Sequence, residues 1–207
     1  MRNLIVACAD IGSVAKGNFG WWASSGGSGM DLSGLTSLVA QSLNDGVPVA
    51  LGFECPLFVP LVEDERLLTS ARPGEGSRAW SAGAGCGALT TGLVQVTWAL
   101  RSIRRILAQS TTAHLVWEKF ASAQTGLFLW EAFVSGSGKK NSHIADARAG
   151  VEAFLDALPN PQLANAISST SSVYSLVGAA LLRTGWSSDL AILGHPCLVV
   201  KSNSNAA

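Results

Sequence analysis

The chain has 207 residues, of which 48% are hydrophobic and only 14% charged, which suits one domain with a sizeable core and excludes a disordered or fibrous chain. Lys and Arg number 14, as do Asp and Glu, so no whole-protein field draws in nucleic acid, which argues against a dedicated high-affinity DNA binder. An enzyme whose acidic metal site offsets a local basic surface remains compatible with that balance.

Residues 4–9 form an apolar strand that runs into Asp10. A polar turn through Gly12, Ser13 and Lys16 leads to a second strand over residues 19–23, in a hairpin pattern. After a Ser/Gly connector, Leu32, Leu35, Leu38, Val39 and Leu43 have helical spacing, with Ser33 as the candidate cap. Asn44-Asp45-Gly46 stops that helix and opens an apolar strand, residues 47–53, which runs into Glu54.

The stretch from Pro56 to Cys86 reads as a long loop carrying Arg66, Arg72 and Arg78, a length that marks functional or mobile segments. Steps of four and three through Leu89, Leu93, Val96, Leu100, Ile103 and Leu107 predict a long helix with Trp98 at core spacing. Arg101, Arg104 and Arg105 fall near its C-terminal end, where cations favour the dipole; a solvated face is their commoner use, a phosphate-contacting patch the rarer one. Residues 114–123 predict a short helix containing Trp117, and residues 127–134 a strand containing Glu131.

A flexible basic loop follows over residues 135–142, then a helix to about residue 158 with Ile144, Ala147, Val151 and Phe154 on one face. Pro159 and Pro161 end it. A helix over 173–183, an apolar strand over 197–200 and a disordered tail, 202–207, complete the chain. A hairpin followed by alternating helices and strands predicts an α/β fold, a mixed sheet covered by helices on both faces. The expected domain spans residues 1–201, with a helical C-terminal extension from about residue 159.

Cys8, Cys55, Cys86 and Cys197 form no CxxC pair and read as reduced thiols, which fits a cytoplasmic protein. The N-terminal apolar run is too short for a signal peptide and Asp10 interrupts it. No stretch has the length of a membrane span, so no membrane partner is expected.

Strands this apolar are buried on both faces, and a buried carboxylate is costly unless it is paired or holds a metal. Asp10, Glu54 and Glu131 each follow an apolar run, and Asp146 lies in the first turn of a predicted helix. That pattern points to a divalent cation, Mg²⁺ or Mn²⁺, both of which take oxygen ligands. Two such ions roughly 4 Å apart activate a water and stabilise the leaving oxygen in phosphodiester cleavage. The blander roles are a turn cap for Asp10 and a complement to the helix dipole for Asp146.

The order of these features resembles the ribonuclease H-like superfamily: a strand ending in Asp10, a hairpin, a strand ending in Glu54, and a late helix opening with His143-Ile144-Ala145-Asp146-Ala147. That last motif is similar to the final active-site motif of Holliday-junction resolvases. Gly52-Phe53-Glu54-Cys55-Pro56-Leu57 is similar to a "G-F-D-x-P-L" segment in uncharacterised proteins predicted to be ribonuclease H-like nucleases, with Glu in place of Asp. The stretch from Arg72 through Glu75 to Arg78 resembles that group's Arg- and Glu-containing stretch. The resemblance covers roughly residues 4–158. It implies a ribonuclease H-like mixed sheet and metal-dependent phosphodiester hydrolysis, with nucleic acid as the partner. Asp10, Glu54 and Asp146 would hold the metal, His143 would act as ligand or proton shuttle, and Glu131 would be a further catalytic acid. The alternative is a catalytically silent domain of this fold that binds a protein or nucleotide.

Two other features compete for a role. Gly83-Ala84-Gly85-Cys86-Gly87, just before the predicted long helix, has the composition of a phosphate cradle but lacks the Lys-Ser/Thr of a P-loop, and a tight loop packing against the sheet is the commoner use. Trp21 and Trp22 are adjacent on a strand and point to opposite faces, which leaves one for stacking or partner contact.

Overall fold

The computed structural model describes residues 3–76, 78–134, 140–167 and 172–202. In chain order its elements are β1 (Ile5–Asp10), β2 (Gly20–Ala23), β3 (Ser28–Gly29), α1 (Leu32–Asn44), β4 (Val49–Glu54), β5 (Phe58–Pro60), α2 (Gly83–Ile106), β6 (Ala113–His114), α3 (Trp117–Ala123), β7 (Leu127–Phe133), α4 (His143–Asp156), β8 (Val173–Ser175), α5 (Leu176–Arg183) and β9 (Leu198–Lys201). The main sheet runs β3-β2-β1-β4-β7-β6, with β9 also on β7. The β1–β2 and β2–β3 pairs are antiparallel, whereas β4, β7, β6 and β9 continue parallel to β1. β6 and β9 share one edge of β7: β6 pairs with Leu127 and Phe128, β9 with Trp130 to Phe133. A separate antiparallel pair joins β5 to β8.

The central strands β1, β4 and β7 are apolar except for Asp10, Glu54 and Glu131, and both their faces are covered. On one face Ala7, Ala9, Leu51, Phe53 and Leu129 pack with Leu35 and Val39 of α1, Leu100 and Ile103 of α2, and Val177 and Leu181 of α5. On the other, Val6, Cys8, Ala50, Phe128 and Trp130 pack with Trp117 and Phe120 of α3 and with Val151 and Phe154 of α4. The α/β fold expected from the sequence, a mixed sheet with helices on both faces, is the one the chain forms. Among the described residues no helix is long and apolar enough to cross a membrane.

Several boundaries differ from expectation. Asp31, not Ser33, caps α1, its carboxylate accepting the Gly34 N–H at 2.6 Å. Gly83 to Gly87 form the first turns of α2 and not a loop, with the Gly85 and Cys86 N–H groups bonding back to Ala82 O. Leu93 and Trp98, expected in the core, are 44% and 42% exposed; the buried stripe of α2 is Gly92, Val96, Ala99, Leu100 and Ile103. At about 100° per residue, Trp98 falls on the side of the helix opposite Val96, and Leu93 at the margin of the buried stripe.

Residues 113–114 and 173–175, expected as helix or helix edge, extend to pair with β7 and β5 before α3 and α5 begin. Ser175 then caps α5 by accepting the Gly178 N–H. Beyond Pro159 the chain thus contributes strands as well as a helix, and β9 completes the main sheet. Most of the basic loop, residues 135–139, and the tail from residue 203 lie outside the described residues.

One close approach fixes where α4 begins. Gly20 is opposite Asp10 in the β1–β2 register, and a Cβ on it would lie 2.5 Å from the His143 carbonyl carbon and the Ile144 nitrogen. Only glycine lets the start of α4 sit on the hairpin. Gly20→Ala is expected to lower stability by about 1–3 kcal/mol in denaturant unfolding, since backbone must shift to admit the methyl group.

Candidate metal centre

The β1–β4 ladder is parallel and places Asp10 directly beside Glu54. Alternation along each strand decides where their side chains go. Ala7 and Ala9 face α1 and α2, so Asp10 falls with Val6 and Cys8 on the α4 side; Leu51 and Phe53 likewise leave Ala50 and Glu54 on the α4 side. Asp146 reaches the same place from the first turn of α4, whose N-cap Ser142 accepts the Ala145 N–H at 3.2 Å. One carboxylate oxygen from each of Asp10, Glu54 and Asp146 lies within 4.8 Å of the others. Asp10 and Asp146 are buried and Glu54 is half-buried.

Neighbouring groups hold the cluster in shape. His143 Nδ1 lies 2.5 Å from Asp10 Oδ2. An ionised carboxylate only accepts, which puts the Nδ1 proton between them. The Lys140 backbone N–H donates to Asp146 Oδ1 at 2.5 Å. Beneath the acids, Cys8 is fully buried, and its thiol is pushed well above its ordinary value by burial first and by Glu54 and Asp10 next. Cys8 is therefore a neutral apolar wall. Cys55 and Cys197 are likewise buried free thiols, and Cys86 is an exposed one.

Glu131 does not join this group. Its partner across the β4–β7 ladder is Phe53, not Glu54, so it projects to the opposite face of the sheet. There it is 1% exposed, on an interior strand and not at a solvent-facing edge. Arg72 grips it through Nη1 at 2.9 Å and Nη2 at 2.5 Å, and the Leu57 N–H donates to it at 2.9 Å. Arg72 Nε also donates to Glu75 at 2.8 Å, and Nη1 to Phe58 O at 3.1 Å. Burial pulls the Arg72 guanidinium down, but Glu131 and Glu75 outweigh it and hold it above its ordinary value. Burial pushes the Glu131 carboxyl up, against the pull of Arg72 and the Leu57 N–H. Arg72, Glu75 and Glu131 thus form a closed ionic knot that ties the 56–82 segment to β7.

A cavity of about 700 Å³ opens beside both groups, touching Asp10, Glu54 and His143 on one side and Arg72, Glu75 and Glu131 on another. Trp80 and the first turns of α2 supply further wall. The glycines of the 83–87 stretch, for which a tight loop is the commoner reading and a phosphate cradle the other, thus border the site as helix. Of the tryptophan pair, Trp21 is buried, while Trp22 is half-buried with the Arg148 guanidinium over its ring. The contributions of Gly20 and Trp80 were not foreseen from the sequence. A glycine inside a predicted strand is a signal of close approach that would have flagged the first.

Comparison with protein-family models, with curated proteins and with solved structures found no match.

Removing the centre of the ionic knot leaves two buried carboxylates without counter-charge. Arg72→Met is expected to cost about 3–5 kcal/mol at neutral pH in denaturant unfolding. The loss should shrink as pH falls, because the buried Glu131 then takes up a proton more readily in the folded than in the unfolded chain, and stability rises wherever the folded state binds more protons.

Proposed function

We propose that the protein is a Mg²⁺- or Mn²⁺-dependent phosphodiesterase acting on nucleic acid, built on a ribonuclease H-like sheet. The observation that carries this reading is the convergence of Asp10, Glu54 and Asp146, three residues from three separate elements, with ligand oxygens within 4.8 Å. All three donors are carboxylate oxygens, the set that hard divalent cations prefer over softer metals. A sheet that opens on the antiparallel β1–β2–β3 unit and continues in parallel strands also supports the architecture that the sequence motifs imply.

Asp10, Glu54 and Asp146 would hold the ion, which when bound supplies Lewis-acid polarisation of a phosphoryl oxygen and a more acidic water. The chain's own residues do the rest. The β1–β4 register fixes Asp10 and Glu54 relative to each other without any loop motion. The start of α4 brings Asp146 to them and holds it by the Lys140 N–H. His143, half-exposed at the cavity and bonded to Asp10, is the group able to accept or return a proton at its imidazole.

The second reading is a silent domain that binds a partner. Its support is that Asp10 and Asp146 already receive hydrogen bonds from His143 and the Lys140 backbone.

The two readings part on Asp146→Asn. This change keeps the acceptor for the Lys140 N–H and removes the charge a hard cation needs. The nuclease reading expects the wild type with Mn²⁺ to cleave at least one of a panel of single-stranded, duplex, hybrid and branched oligonucleotides, with chelator stopping it. It expects Asp146→Asn to abolish cleavage and weaken Mn²⁺ binding, with metal-free stability equal or higher as like-charge repulsion is relieved. Normal Mn²⁺ affinity together with a stability loss of about 0.3–1 kcal/mol would instead mark Asp146 as a helix-dipole partner only.

A further inference from the structure

The cavity beside the acids has a definite size and wall chemistry. At about 700 Å³ it falls within the roughly 300–1,000 Å³ of pockets that enclose a small ligand. A site that tracks a continuous polynucleotide is instead an open basic groove with successive stacking platforms. Among the described residues, the net charge and the cavity walls supply no such groove. The wall guanidiniums are those of Arg72, committed to two carboxylates, and Arg78, which is exposed and has no ion-pair partner among the described residues.

Trp80 is the aromatic platform. It is half-buried and lines the cavity, anchored once through its ring and once through its backbone. Its indole N–H donates to Ser70 O at 3.0 Å, and its backbone N–H donates to Glu75 Oε2 at 3.2 Å. Glu75 is in turn pinned by Arg72, so the ionic knot on β7 sets the position of the tryptophan. Ala79, Ala82, Gly83, Ala84 and Gly85, all small, line the same cavity. An anchored indole and carboxylates lining one cavity suit a flat ring joined to a phosphate.

We infer that the cavity seats a single nucleotide unit at the end of a strand, its base against Trp80 and its phosphodiester toward Asp10 and Glu54; this rests on the metal-site reading above. Any base offers a π-face, so the pocket selects a strand end without selecting a sequence. The ionic knot of Arg72, Glu75 and Glu131 then has a role in substrate binding, as the support that positions Trp80.

Titration calorimetry in Mn²⁺ with adenosine 5′-monophosphate and ribose 5-phosphate tests this directly. Adenosine monophosphate should bind saturably, and the sugar phosphate at least about tenfold more weakly. Trp80→Ala should weaken adenosine monophosphate binding by about 5- to 150-fold with Mn²⁺ affinity unchanged, and Trp80→Phe should restore most of it. In cleavage assays a linear single strand should shorten from an end, while a covalently closed circle of the same sequence survives. Equal affinity for the two probes, an unaltered Trp80→Ala variant, or a circle cut as fast as the linear strand would overturn the inference while normal Mn²⁺ binding left the metal site standing. Absence of Mn²⁺ binding by the wild type would be the separate failure of the metal-site reading itself.

Discussion

The candidate site depends on one register. β1 and β4 run parallel with Asp10 beside Glu54, so two carboxylates leave the same face of the sheet at the same height. Because side chains alternate along a strand, a slip of one residue would send one of them to the opposite face. The register is held by the apolar residues behind it: Ala7, Ala9, Leu51 and Phe53 fit under α1 and α2, while Val6, Cys8 and Ala50 fit under α4. The core therefore positions the chemistry, and the same packing admits α4 closely enough for Asp146 to complete the cluster.

Two groups of buried charge lie on opposite faces of this sheet and are handled differently. Arg72 pairs with both Glu75 and Glu131 through short, directed hydrogen bonds, the usual condition for burying ions. Asp10, Glu54 and Asp146 bring three carboxylates together, with His143 and the Lys140 backbone N–H among their neighbours. The two groups meet at one cavity, so the structural knot and the acidic cluster shape a common space.

Much of this was legible in the chain, for identifiable reasons. Apolar runs ending in acids gave the strands and named Asp10 and Glu54, and the spacing of Ile144, Ala147, Val151 and Phe154 gave α4 and hence Asp146. Glu131 was ambiguous because residues 127–130 are apolar at every position. With both faces buried, alternation carries no signal, and nothing local says which face the next residue takes. The start of α2 was missed because Gly83, Gly85 and Gly87 are poor helix formers, whereas in the fold they belong to its first turns. Trp98 was misjudged for a different reason, since it is apolar yet lies about 200° round the helix from Val96 and so misses the buried stripe. The Arg72–Glu131 pairing joins residues 59 apart in sequence and is set only by tertiary structure.

The central claim is that the three converged carboxylates form a cation site. The most direct measurement is an anomalous difference map from crystals soaked in Mn²⁺. The account predicts a peak within coordination distance of carboxylate oxygens from Asp10, Glu54 and Asp146. Crystals that show no peak at this cluster at millimolar Mn²⁺, with the His143–Asp10 and Lys140–Asp146 bonds intact, would contradict it.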